Sequence, residues 1–91
     1  GIDLETKIRN QYGSDRFFKT ILDRPKDYRN FEVLEGLIYL NLDDRKVLGI
    51  PDVVIQGRRA RELVIDEAHS LLAHLGYSKT LAYLRDHVWW K

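Results

Sequence analysis

The chain has no cysteine and no methionine in its 91 residues. Without cysteine, a disulfide brace is excluded, and so is any thiolate metal site built from this chain alone. The lack of cysteine is compatible with an intracellular protein. The lack of methionine, position 1 included, points to a piece excised from a longer chain, as a polyprotein parent or a cloning boundary would give. No apolar run approaches the ~20 residues that span a bilayer, and no signal-peptide pattern precedes the first helix, so no membrane partner is expected. Charge of either sign is balanced, with 15 basic against 14 acidic residues. That excludes the global basic field of a strong nucleic-acid binder and leaves only local clusters. There is no Gly-rich phosphate loop, no nucleophile elbow and no Ser-His-Asp set. Asp43 and Asp44 read as turn chemistry, and Asp66 and Glu67 as helix surface. Asp52 joins neither pair, and no three carboxylates come together as phosphoryl transfer would need. The chain by itself is expected to be no enzyme.

What is present suits a small globular fold of the α+β class. Apolar residues make up 44% of the chain, enough for a core, although folds below ~80 residues usually lean on a metal, disulfides or a second copy. Residues 3–12 carry Leu4, Ile8 and Tyr12 at helical spacing, and Gly13 closes that helix. Ser14 or Asp15 caps a second helix with Phe17, Phe18, Ile21 and Leu22 inward, stopped by Pro25. The period then changes. Phe31 to Leu40, with a bend or bulge at Gly36, and Val47 to Ile50 read as two or three short antiparallel strands, ended by Pro51.

From Arg58 a helix is expected with Ala60, Leu63, Val64, Ala68, Leu71 and Leu72 on its buried side. Gly76 follows, then Ser78 as the cap of a last helix, Lys79 to Val88, with Leu81, Leu84 and Val88 inward. The final third is thus a helix–turn–helix. His69 and His74 are the residues of most interest within it. A His-x4-His spacing is one half of a tetrahedral zinc site that normally takes two cysteines as well. On one continuous helix, side chains five positions apart diverge by about 140°. The pair can share a metal only if the helix ends between them, which Gly76 makes plausible. Read without a metal, both are helix-end histidines, favourable beside the negative pole. His87 reads as a partly exposed helix-end histidine and is not counted as a ligand.

The ordered set in EAHSLLAHLGYSKTLAYLRDHVWWK is more specific than the histidines alone: His69, His74, Gly76, Lys79-Thr80, a short helix, Trp89-Trp90. It resembles the His-His-Cys-Cys zinc-binding N-terminal domain of integrases from gypsy-type long-terminal-repeat retrotransposons and retroviruses. The resemblance covers the last third of the chain. Residues 1–56 resemble, more loosely, the extension domain that precedes it, leaving 57–91 as the zinc-binding domain without its cysteine half. The resemblance implies His69 and His74 as ligands of a zinc ion in the complete parent, whose Cys-x-x-Cys pair follows further on. This chain alone is expected to hold no zinc tightly. Family members join element DNA to a target through a separate catalytic domain with three acids and divalent metal, and a nuclear location of the parent follows by resemblance.

The expected role is therefore a non-catalytic module of a gag-pol-type integrase that binds DNA ends and assists assembly. Arg58, Arg59 and Arg61 at one helix start, with Ser78, Lys79 and Thr80 at another, are candidates for phosphate contacts that carry no sequence information. Of Trp89 and Trp90, adjacent and so pointing apart, one is expected in the core and one against a partner. Leu71, Leu75 and Leu84 are expected to stay uncovered and to drive a homodimer or domain swap. The alternative is a domesticated retroelement-derived oligomerisation module without integration activity. A third reading, a plain helix–turn–helix DNA binder, would bind without regard to zinc.

Overall fold

Short-range chemistry sets the first elements. In this computed structural model, which describes residues 4–73 and 76–91 (Tyr77 by its backbone alone), helix α1 spans Leu4–Ile8. It is shorter than the apolar spacing suggested. Asn10 takes a left-handed conformation, φ 64°, and its amide donates to the Gly36 carbonyl at 2.9 Å, so the helix cannot run on to Tyr12. Tyr12 enters a 3-10 turn, Tyr12–Ser14, that also contains Gly13. Helix α2, Arg16–Asp23, is capped by Asp15 rather than Ser14. Asp15 Oδ1 accepts from the amides of Phe17 and Phe18 at 2.8 and 2.9 Å, satisfying two donors that a helix start otherwise leaves open. Phe18 and Ile21 are buried, whereas Leu22, expected inward, is exposed.

Strands β1 (Phe31–Leu34) and β2 (Leu37–Asn41) form a hairpin with Leu34 opposite Leu37. Its two turn residues, Glu35 and Gly36, both have positive φ, as a type I′ turn requires. Gly36 is needed twice over, because a Cβ there would collide with the Asn10 side chain. Strand β3 (Lys46–Gly49) pairs antiparallel with β2. A second small hairpin follows, β4 (Val54–Ile55) with β5 (Arg58–Arg59), around Gln56 and Gly57, again both at positive φ. Helix α3 therefore begins at Ala60, not Arg58: the turn at Gly57 commits both arginines to a strand first.

α3 spans Ala60–Leu71 and α4 Tyr77–His87. Ser78 lies inside α4, and Gly76 occupies the cap position with no side-chain hydrogen bond. Val88 leaves the helix to form strand β6 (Val88–Trp89), which pairs parallel with β3, so the sheet order is β1-β2-β3-β6. The Ile50 amide extends that pairing by donating to the Trp89 carbonyl at 2.8 Å. Leu81, expected inward, is 42% exposed, and Leu71, on the helical stripe but expected to stay uncovered, is 64% exposed. Leu84 and Val88 are half-buried against the core.

One core joins both ends of the chain. Ile8, Tyr12, Phe18, Ile21, Leu37, Ile38 and Ile50 pack with Val53, Ala60 and Val64, and Trp89 and Trp90 both lie against them. The Tyr12 hydroxyl donates to the Gly49 carbonyl at 2.7 Å, and burial pushes that phenol well above its ordinary range. Gly49 leaves no room for a side chain, since a Cβ would stand 2.8 Å from the Phe18 ring. Asp15 closes the arrangement. It is 5% exposed, and its Oδ2 accepts from the Asp52 amide at 2.6 Å while Arg61 Nη2 lies 3.7 Å away. Asp15→Ala is expected to cost roughly 2–4 kcal/mol of unfolding free energy, a lost cap plus an Asp52 amide without its acceptor. Asp15→Asn, which keeps one accepting oxygen, costs less. A urea transition unchanged in Asp15→Ala would show that the carboxylate holds nothing.

Candidate functional site

The buried stripe of α3 is Ala60, Leu63, Val64 and Ala68. His69 is one position beyond Ala68, turned about 100° away from that stripe, and is exposed on the last turn. The other expected ligand, His74, lies outside the described residues, as does Leu75. Among the described residues no three side chains of metal-ligating type come together. A structural zinc takes four ligands. His87 has other work. Its ring stacks on Tyr83 at 4.1 Å, and Nδ1 lies 2.8 Å from the Tyr83 carbonyl oxygen, to which the Nδ1–H tautomer donates.

The arginines expected to meet phosphate each face an acid. Arg58 donates to Asp66, which raises its guanidinium pKa further. Arg59 Nη1 is 3.5 Å from Asp52. Arg61 is set inward, between Asp15 and the face of Trp90, whose centroid is 5.7 Å from its guanidinium carbon. Thr80 is also inward, 5% exposed, and its hydroxyl donates to the Gly76 carbonyl at 3.2 Å. Ser78 and Lys79 are exposed on the first turn of α4, and Lys79 forms no ion pair with a described residue. Arg58 and Arg59 stay half-open at the β4–β5 ribbon. Trp89 meets Phe17, Phe18 and Phe31 at 5.3–5.9 Å.

Sequence reasoning missed the cleft of about 410 Å³ between α1, the sheet and the α3–α4 pair. Its apolar floor includes Leu48, Val64, Ala68 and Leu84, and Leu71 stands at its edge. Tyr39 lines it, and desolvation raises its phenol. Lys46, also lining it, donates to Glu32 Oε2 at 2.8 Å, and that bond draws the Glu32 carboxyl below its ordinary range. No local pattern marks such a cleft, because its walls come from segments far apart in sequence.

Residues 57–91, from the β4–β5 turn through α3 and α4 to the last residue, match the family model described as the integrase zinc binding domain. No curated protein and no solved structure matches the chain. The match covers the last third of the chain and supports an integrase-related zinc-binding module there. The family model's description names a zinc-binding part of integrases. No helix among the described residues is long and apolar enough to cross a membrane.

The Glu32–Lys46 bond has a pH signature. A carboxyl whose pKa is lower folded than unfolded adds stability above its unfolded value, about 4.3 for Glu. That stability is lost as pH falls through the folded value. Glu32→Gln is therefore expected to flatten the loss of stability between about pH 5 and pH 3, measured as urea midpoints across pH. An acid limb as steep as wild type would contradict it.

Proposed function

We propose that the chain is a non-catalytic DNA-end-binding and assembly module of a retroelement integrase from a gag-pol-type polyprotein, supporting DNA integration. The observation that carries this reading is the family match over residues 57–91, which spans both His69 and His74. In the parent, these two imidazoles would ligate zinc with a cysteine pair from further along the polyprotein. Strand transfer would belong to a separate three-acid domain, and the parent would act in the nucleus. Residues 1–56 serve as the extension and 57–91 as the zinc domain with its α3–α4 helix pair.

DNA contact falls to the exposed groups: Ser78 and Lys79 at the start of α4, with Arg58 and Arg59 on the ribbon. Arg61 and Thr80 support that surface from inside, as their burial indicates. Because Asp66 and Asp52 compete for Arg58 and Arg59, affinity for phosphate is modest and strongly dependent on salt. Assembly would use the open α3–α4 surface, where Leu71 is largely uncovered and Leu84 half so. A second copy could cover it as a homodimer or a domain swap.

A second reading is a domesticated oligomerisation module without integration activity, for which the largely uncovered Leu71 would supply the contact surface. Duplex binding by fluorescence anisotropy, with mass by sedimentation, separates the two. For the integrase reading, Lys79→Glu and Arg59→Glu each weaken binding and lower the salt slope by about 0.9 per lost phosphate contact. Asp66→Asn and Asp52→Asn strengthen it. A doubled mass with no duplex affinity would instead favour the domesticated module.

A further inference from the structure

On the face formed by the start of α2 lies a second cleft, of about 760 Å³, within the size range of ligand sites. Its chemistry differs from the apolar cleft under α3. Two aromatic rings, Phe17 and Tyr28, line it at 86° to each other with centroids 5.9 Å apart, so they form a corner. The Lys91 ammonium sits over the Phe17 ring, 4.7 Å from its centroid. That ring face is therefore approachable from the cleft. Arg16, exposed at the first position of α2, also lines it and forms no ion pair with a described residue. The acids of the cleft are already engaged. Asp15 accepts three backbone amides and Asp52 faces Arg59. Arg61, a third lining cation, is held between Asp15 and Trp90, and its buried Nε has no hydrogen-bond partner among the described residues.

We propose that this cleft binds unpaired nucleotides of a nucleic-acid strand, with a base stacked in the Phe17–Tyr28 corner and the flanking phosphates on Arg16 and Lys91. The inference rests on the DNA-end reading above and gives it a single-strand site distinct from the Lys79 surface. A π face beside cations is what sequence-tolerant strand binding needs, since every base can stack and every linkage carries charge. Here the lysine ammonium holds the place that a base takes on binding. A carboxylate ligand could use the cations but would leave the two rings without a partner. Duplex DNA keeps its bases paired and stacked, so it could not use the corner.

The test is anisotropy of a labelled short oligothymidine strand, run beside a blunt duplex, on the full chain. Wild type is expected to bind the strand. Tyr28→Ala is expected to weaken it about fivefold or more, while Tyr28→Trp, which keeps a stacking face, retains it. Arg16→Glu weakens it and lowers the salt slope by about 0.7, the single-strand value per contact. Circular dichroism identifies any variant that fails to fold, and Arg16, being exposed, gives a variant free of that difficulty. Strand binding unaltered in both Arg16→Glu and folded Tyr28→Ala would overturn the proposal. So would duplex binding without strand binding, which leaves the DNA-end reading intact. Thymidine monophosphate binding as tightly as the strand would also overturn it, because a strand then contributes nothing.

Discussion

The Asp15 carboxylate is the constraint on which the rest of the structure depends. One oxygen caps α2, and the other holds the Asp52 amide just beyond β3 and stands against Arg61 on α3. A nearly buried carboxylate is costly unless its lone pairs are filled. Here three amides fill them, and those amides come from two separate stretches of chain. Moving α2, the segment after β3 or the first turn of α3 would leave at least one donor or the carboxylate itself without a partner. The Arg61 guanidinium that faces Asp15 also lies over Trp90, so the same node reaches the end of the chain.

Around that node the sheet and the aromatic residues do the remaining work. β6 brings residues from the far end of the chain beside β3, and Trp89 then fills the space among Phe17, Phe18 and Phe31. Edge-to-face pairs, such as Trp89 makes with Phe18 and Phe31, contribute about 0.5–1.5 kcal/mol each beyond area burial. Gly49 permits this packing because its neighbour is the Phe18 ring itself. The consequence for function is geometric. The surfaces proposed to meet DNA, the β4–β5 ribbon and the start of α4, are attached to a core that residues 1–56 help to build. α3 and α4 do not rest on a core of their own.

Much of this was legible in the sequence where the signal is local. The α+β class, the β1–β2 hairpin bend at Gly36, the α2 cap and the buried stripe Ala60, Leu63, Val64 and Ala68 all follow from period and turn chemistry. The misread elements are those decided by partners far along the chain. Asn10 goes left-handed to meet Gly36, and Val88 leaves its helix because β3 offers a free edge. Leu71 and Leu81 satisfied the helical period, yet no described element covers either of them. Two signals were present and passed over. Gly57 just after the β-prone pair Val54-Ile55 is a turn signal, and Val88-Trp89-Trp90 has a strand propensity that competes with the helical stripe ending at Val88. Of the site, the histidine spacing and the basic clusters could be seen. That Arg58, Arg59 and Arg61 each face an acid could not, because Asp66, Asp52 and Asp15 reach them only through the fold.

The central claim is that residues 1–56 and 57–91 fold as one cooperative body through Asp15. Native-state hydrogen exchange tests it most directly. If the claim holds, the Ile50 amide, bonded to Trp89, and the interior amides of α3 exchange with one common free energy. That energy equals global unfolding and falls equally for both in Asp15→Ala. If the α3 amides exchange through a separate, lower-energy opening while Ile50 keeps its full protection, the two segments are independent and the claim is wrong.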